Sequence, residues 1–211
     1  MVAREASPWS FQAGNLALNF ANTVDWHASK NPEELLTSYT ALVNWSVDFG
    51  VLQEADATPL HVKAREYPDE AADALAQAIL IREAIYRIFN AVAQRKAPAE
   101  IDLETLKEAQ ARAISSARLV PQEKGFRWGW KFEPPSFEQM LWPITQAAVD
   151  LLLSQNLSQV GQCADERGCG ALFIDTSRNH SRQWCSMDTC GNRAKAQRHY
   201  TRHKKTGGVT K

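Results

Sequence analysis

The chain has 211 residues, 44% of them hydrophobic and 23% charged, which is enough apolar material for a buried core and an ordinary charge content for a globular protein. No apolar run approaches the roughly 20 residues of a membrane helix, and Glu5 sits where a signal peptide would need an apolar stretch, so neither is expected and a cytoplasmic location follows. The net charge of zero conceals a split: from Val160 onward the chain carries +6, and everything before it carries −6. Such a split points to a tail that faces nucleic acid on an acidic body.

Taken in chain order, Asn15 to Thr23 alternates loosely and fits helix or strand. Asn31-Pro32-Glu33-Glu34 reads as a helix start, with an N-cap, a proline at the first position and acids near the positive end of the dipole. Leu35, Leu36, Tyr39, Leu42, Val43 and Val47 follow at helical spacing, and Gly50 is a natural stop. Pro59 to Pro68 reads as loop and turn. A second helix is expected over 69–95, with Leu75, Ile79, Ile81, Ile85, Ile88, Phe89 and Val92 on its apolar side, until Pro98 breaks it. A third covers 102–116. Arg118-Leu119-Val120 and the run Phe126 to Phe132 flank Glu123-Lys124-Gly125 as a β-hairpin. After Pro134-Pro135, a fourth helix runs over 136–154 with a kink at Pro143. Residues 154–162 read as a linker. Trp45, Trp128, Trp130 and Trp142 are expected in the core. Residues 1–155 are thus a mostly helical α+β domain with an inserted β-hairpin, suited to sensing or dimerisation.

All four cysteines fall within 28 residues, as Cys163-x5-Cys169-x15-Cys185-x4-Cys190. Two close pairs joined by a connector long enough to fold back suit tetrahedral zinc. Ala171 to Asp175 is a plausible strand, Gln183-Trp184-Cys185 a return strand, and Cys190-Gly191 opens a helix. This is the outline of a treble-clef-like zinc finger over 160–206. Paired disulfides, redox thiols or an iron–sulfur cluster are the alternatives. Four thiolates leave no open coordination position, so one zinc ion would be structural. His180, His199 and His203 are reserve ligands should one cysteine not bind.

The helix after Cys190 carries Lys195, Arg198, Arg202 and Lys205 within an arc of about 80°, and no acid follows Asp188. Ala196 and Tyr200 fall on the opposite side, where a packing face belongs. A one-sided basic stripe suits phosphate contact with double-stranded DNA, and Arg178 and Arg182 at the hairpin tip extend it. Arg193 and Asn192 suit base edges or, beside the ligands, bracing of the site. In the body, Asn15, Asn19, Asn22, Thr23 and Asp25 are candidates for a small-molecule pocket, chiefly Asn19, Asn22 and Thr23; turn and capping chemistry is the plainer reading of these residues. Arg82-Glu83 reads as a surface or interdomain pair.

The run Cys185-Ser186-Met187-Asp188-Thr189-Cys190-Gly191-Asn192-Arg193-Ala194-Lys195, with Leu172-Phe173-Ile174-Asp175-Thr176-Ser177-Arg178-Asn179 before it, resembles the CGNR zinc finger. The gap from Cys163 to Cys169 is one residue longer than that family's commonest form. Leu16-Ala17-Leu18-Asn19-Phe20-Ala21-Asn22-Thr23 and Leu141-Trp142-Pro143-Ile144 resemble the ABATE domain, with Asn19 in place of an expected aspartate. The resemblance implies a DNA-binding stress-response regulator whose N-terminal domain senses a ligand or dimerises. A zinc-containing protein–protein or RNA-binding adaptor is the competing reading. The sequence shows no nucleophile elbow, phosphate loop or two-histidine metal motif, so no enzyme is expected.

Overall fold

The computed structural model describes residues 12–130 and 134–206, with side chains through Thr201. The first helix, α1 (Leu16–Ala21), settles the ambiguous N-terminal pattern: the Asn15 side chain accepts from the Ala17 and Leu18 N–H groups and caps it. β1 (Val24–Asp25) then pairs antiparallel with β2 (Glu33–Glu34). The helix expected from Asn31 therefore begins later. Ser38 caps α2 (Tyr39–Asp48), while Glu34 is held in the strand by Arg82 and by the Leu36 N–H.

The loop expected over 59–68 is helical. α3 (Glu54–Glu66) starts one turn ahead of Pro59, with Asp56 accepting from the Gln53 N–H at its N-terminus. Its proline removes a single donor and does not end the helix. α4 (Pro68–Ala93) is the longest element and the axis of the body. Proline at its first turn and Asp69 and Glu70 beside it favour initiation. Ala78, Ile81, Ile85, Ile88 and Phe89 are buried along it. α5 (Glu100–Ser115) packs on α4, tied by Arg87 to the buried Asp102 at 2.6 Å.

β3 (Ala117–Gln122) and β4 (Gly125–Trp130) form the expected hairpin, with Leu119 opposite Trp128 and Pro121 opposite Phe126. The structure corrects the burial expected of Trp128. It is exposed, as are Leu119 and Phe126, because the hairpin extends past the end of α5. Trp130 is half-buried and donates to the Ala113 carbonyl, while Trp45 is fully buried and Trp142 partly so. Lys131 and Phe132, expected at the end of this strand, lie outside the described residues.

α6 (Leu141–Leu153) places Pro143 in its first turn, where no N–H donor is needed, so no kink arises. The expected linker is also structured. A 3-10 turn, Gln155–Gln159, leads into β5 (Val160–Gln162), which pairs antiparallel with β6 (Leu172–Ile174). Val160, Leu172 and Ile174 join the core of the body, whereas Phe173, on the other face of β6, packs with the cysteines. Among the described residues, no helix is long and apolar enough to cross a membrane.

Arg82, expected near the surface, is 2% exposed. Its two terminal nitrogens donate to Glu34 at 2.7 Å each, and Nη2 also donates to Glu83 at 2.9 Å. Glu83 also faces His27 Nε2 at 3.0 Å, and the His27 ring stacks on Tyr86. Burial pushes the Glu83 carboxyl up, but His27 and Arg82 outweigh it and bring its pKa down to about 2. The folded carboxyl thus binds its proton less readily than the unfolded one. Its contribution to stability is complete above the unfolded carboxylate range and is lost as the pH falls toward about 2. Denaturant titrations should therefore show wild type more stable than Glu83→Gln at pH 6, with the difference shrinking steadily below about pH 4.5. A difference independent of pH would contradict this assignment.

Candidate metal centre

The four cysteines converge although they come from three separate segments. Cys163 follows β5, Cys169 sits in the turn between β5 and β6, Cys185 precedes a π-turn, Met187–Gly191, and Cys190 lies within that turn. α7 (Asn192–Thr206) continues directly from that turn, so the last ligand lies at a helix start, as expected. The expected return strand at 183–185 is absent. The partner of β6 is β5, and residues 176–186 cross back without strand pairing, held by the Ala164 N–H on the Gln183 carbonyl.

All four sulfurs lie within 4.8 Å of one another. Cys169 and Cys185 are 3.7 Å apart, and Cys185 and Cys190 are 3.6 Å apart. A tetrahedron with Zn–S bonds of about 2.3 Å has S···S edges of about 3.8 Å, whereas a disulfide bond is about 2.05 Å. The spacing fits a metal and not a pair of bridges, and all four are free thiols. The protonation pattern fits as well. Donation from Cys169 and Cys185 pulls Cys163 down to about 2. Cys185 is pushed up by the hydrogen bonds that Cys163 and Cys169 accept and by burial. Burial and the neighbouring Cys169 push Cys190 up. Four crowded sulfurs cannot all ionise beside one another without a cation. Cys163, Cys169, Cys185 and Cys190 thus bind one zinc ion, whose role is to hold the knuckles closed. His180 instead contacts the Asp175 carbonyl through Nδ1, and the side chain of His203 lies outside the described residues.

Two arginines brace this centre. Arg193 donates from Nη2 to Cys190 Sγ at 2.9 Å and pairs with Asp165 at 3.1 Å, so a cation neutralises part of the thiolate charge. Arg182 lies over the Phe173 ring and donates to the Trp184 and Cys185 carbonyls. Both guanidinium groups are thus engaged at the metal centre, with the Arg193 side chain still 36% exposed. Asn192 donates to the Asp188 carbonyl and closes the π-turn. Arg178 is exposed on the polar turn. From Lys195 to Thr201 every residue of α7 is exposed, including Arg198, Ala196 and Tyr200, so the expected packing face is not covered and the helix projects from the finger. Arg198 lies 5.6 Å from the Trp184 ring. Arg202 and Lys205 belong to α7, but their side chains lie outside the described residues.

The finger is fastened to the body by contacts that no local sequence signal announces. Asn22 exchanges two hydrogen bonds with the Leu172 backbone, at 2.8 and 2.9 Å. Tyr86 donates to the Gly170 carbonyl, and the Ala28 N–H donates to the Gly168 carbonyl. Gly168 and Gly170 have φ of +91° and +68°, and a Cβ on either would collide with the 28–29 backbone. Trp26 itself has a φ of +54°, and Arg167 and Arg193 both lie within cation–π reach of its ring. Asn19 accepts the Ala13 N–H. Thr23 donates to the Phe20 carbonyl and receives Arg82. Of the three residues singled out for ligand binding, Asn19 and Asn22 border a cavity and Thr23 does not.

Four thiolates closed on one point, carried by a short hairpin and a helix start, define a zinc-finger protein with a helical α+β body. The family comparisons extend this over nearly the whole chain. Residues 14–155 match the ABATE model, described as "putative stress-induced transcription regulator", and residues 159–203 match the CGNR zinc finger. The chain belongs to the ABATE family and carries a CGNR zinc finger at its C-terminal end. No curated protein matches it.

Proposed function

We propose that this protein is a DNA-binding transcription regulator in which zinc fixes the direction of α7 and the exposed basic face of that helix docks on the phosphate backbone. The observation that carries the reading is the division of labour among the arginines. Arg182 and Arg193 are engaged at the metal centre, while Lys195 and Arg198 stand exposed on a helix with no acidic residue. Arg202 and Lys205 continue that side by helical spacing, and Arg178 adds a charge on the neighbouring turn. Phosphate contacts of this kind position a protein without reading sequence. The helical body is the ligand-responsive part, and the exposed apolar face of β3–β4 is where a second copy would pair. The chain performs no catalysis of its own.

The reading is tested by measuring duplex-DNA affinity of the zinc-loaded protein across a salt series. Lys195→Ala and Arg198→Ala should each weaken binding to all duplexes alike and flatten the log–log salt slope by about one unit. If duplex DNA does not bind at low salt, the basic helix is a protein contact and the adaptor reading replaces this one. If single-stranded or structured RNA competes better than duplex, the nucleic acid is RNA.

A further inference from the structure

An open groove of about 610 Å³ runs along the finger between the first half of α7 and the segment 164–167. Its size is that of a small-ligand pocket, roughly 300–1,000 Å³. Two aromatic side chains border it, the half-buried Trp184 and the exposed Tyr200. On α7, Gln197 follows Arg193 by four positions and precedes Tyr200 by three, so these side chains share the helix face that lines the groove. Alanines at 164, 194 and 196 leave the space between the aromatic rings open. The charges around it are of both signs. Asp165 is already committed, to Arg193 at 3.1 Å and Arg167 at 3.3 Å, and its side chain is 6% exposed. Glu166 is exposed and adds a carboxylate at the rim. Gln183 and Gln197 are exposed amides, each able to donate and to accept. A simple anion would meet Glu166, and a simple cation would meet three arginines. A flat neutral ring with donors and acceptors along its edge suits the lining better, with its faces on the aromatic rings and its edge on the amides and Glu166. Arg198 ties the groove to the exposed basic side of α7. It lies 5.6 Å from the Trp184 ring and borders the groove, and by helical spacing it also continues the side that carries Lys195.

We propose that this groove receives one unpaired base of the DNA on which α7 docks. A strand whose phosphates lie on Lys195 and Arg198 carries its bases past the mouth of the groove. A base that enters stacks on Trp184 and Tyr200, and its edge bonds to Gln183, Gln197 and Glu166. Stacking of this kind tolerates any base, because every base has a π-face. A base still paired in the duplex must first leave the stack, which costs free energy that an already unpaired base does not pay again. The finger therefore favours DNA in which a base stands outside the helix. The proposal rests on the reading of α7 as the DNA-facing helix and adds to it a preference for that form of DNA.

Fluorescence anisotropy on the zinc-loaded full chain tests it with three labelled duplexes of one sequence. One is fully paired, one carries a single bulged thymine, and one carries an abasic site in the bulge, which keeps the phosphate and removes the base. The thymine bulge should bind at least about fivefold more tightly than the abasic bulge, the lower end of what stacking one base on an aromatic side chain contributes. Tyr200→Ala, at an exposed position, should cut that ratio at least about threefold, and Trp184→Leu with Tyr200→Ala should bring it to about one. Lys195→Ala should weaken all three duplexes and leave the ratio as it is. Circular dichroism and zinc content of each variant establish that it is folded. Equal affinity for the two bulges would overturn the proposal, and so would a ratio that folded Tyr200→Ala leaves unchanged. In either case salt-sensitive binding of the paired duplex still supports docking on the backbone. Base-dependent binding of the thymine bulge without binding of the paired duplex would support the groove and sink backbone docking instead.

Discussion

Cys190→Ser is expected to release the zinc ion, unfold the finger and lower the melting temperature of the whole chain. The apparent folding free energy that zinc supplies to finger peptides is about 10–16 kcal/mol at neutral pH, and the finger has little core besides its cysteines and Phe173. The damage should not stop there. Leu172 and Ile174 complete the core of the body, and Asn22 holds the Leu172 backbone with a reciprocal pair of hydrogen bonds. Loss of the metal therefore uncovers body core and takes from the half-buried Asn22 amide its two Leu172 partners. A zinc-release assay, hydrogen exchange at the Leu172 amide and a thermal scan check the three parts separately. A variant that kept its zinc and its melting temperature would overturn the ligand assignment. Chelation of the wild type should reproduce the same changes.

Arg82→Met should be the most damaging single change in the body. The guanidinium is fully buried and answers two carboxylates, Glu34 with two parallel hydrogen bonds and Glu83 with two more, from Nε and Nη2, and it also reaches Thr23. Removing one partner of such a group leaves uncompensated charge, and the cost is about 3–5 kcal/mol. For a chain of this size, that is on the order of 10 °C in melting temperature. Glu34→Gln placed on top of Arg82→Met should recover part of the loss, because it removes one of the stranded charges. A double variant no better than the single one would place the effect in packing. Calorimetry of the three proteins separates the cases.

The parts of this structure that were legible in the sequence are those whose signal is local. Four cysteines in a chain otherwise free of them mark the metal centre, and they meet at one point. The apolar stripe and proline punctuation mark α4, and the hairpin turn falls at Glu123-Lys124. What escaped depends on partners far along the chain. Arg82 is buried because Glu34, 48 residues earlier, meets it. Asn22 reads as a polar ligand candidate but bonds Leu172, 150 residues later. β5 is three residues long, too short for a pattern, and its pairing with β6 displaces the return strand that the Trp184 region suggested. α3 was hidden by Pro59, although Gln53 and Asp56 offered a local start signal. Arg182 and Arg193 look like surface cations until the knuckle folds around them.

Strand β6 faces two ways at once. Its middle residue, Phe173, belongs to the metal cluster, and its outer residues, Leu172 and Ile174, belong to the helical body. Adjacent positions of one three-residue strand thus serve two cores. The finger cannot be lifted out and grafted elsewhere as a cassette, because excising it removes part of the body's interior. Body and finger should melt in a single transition, and native-state proteolysis should follow metal loss into α1 and α4. Zinc supply would then govern how long the protein survives in a cell as well as whether its last helix is formed.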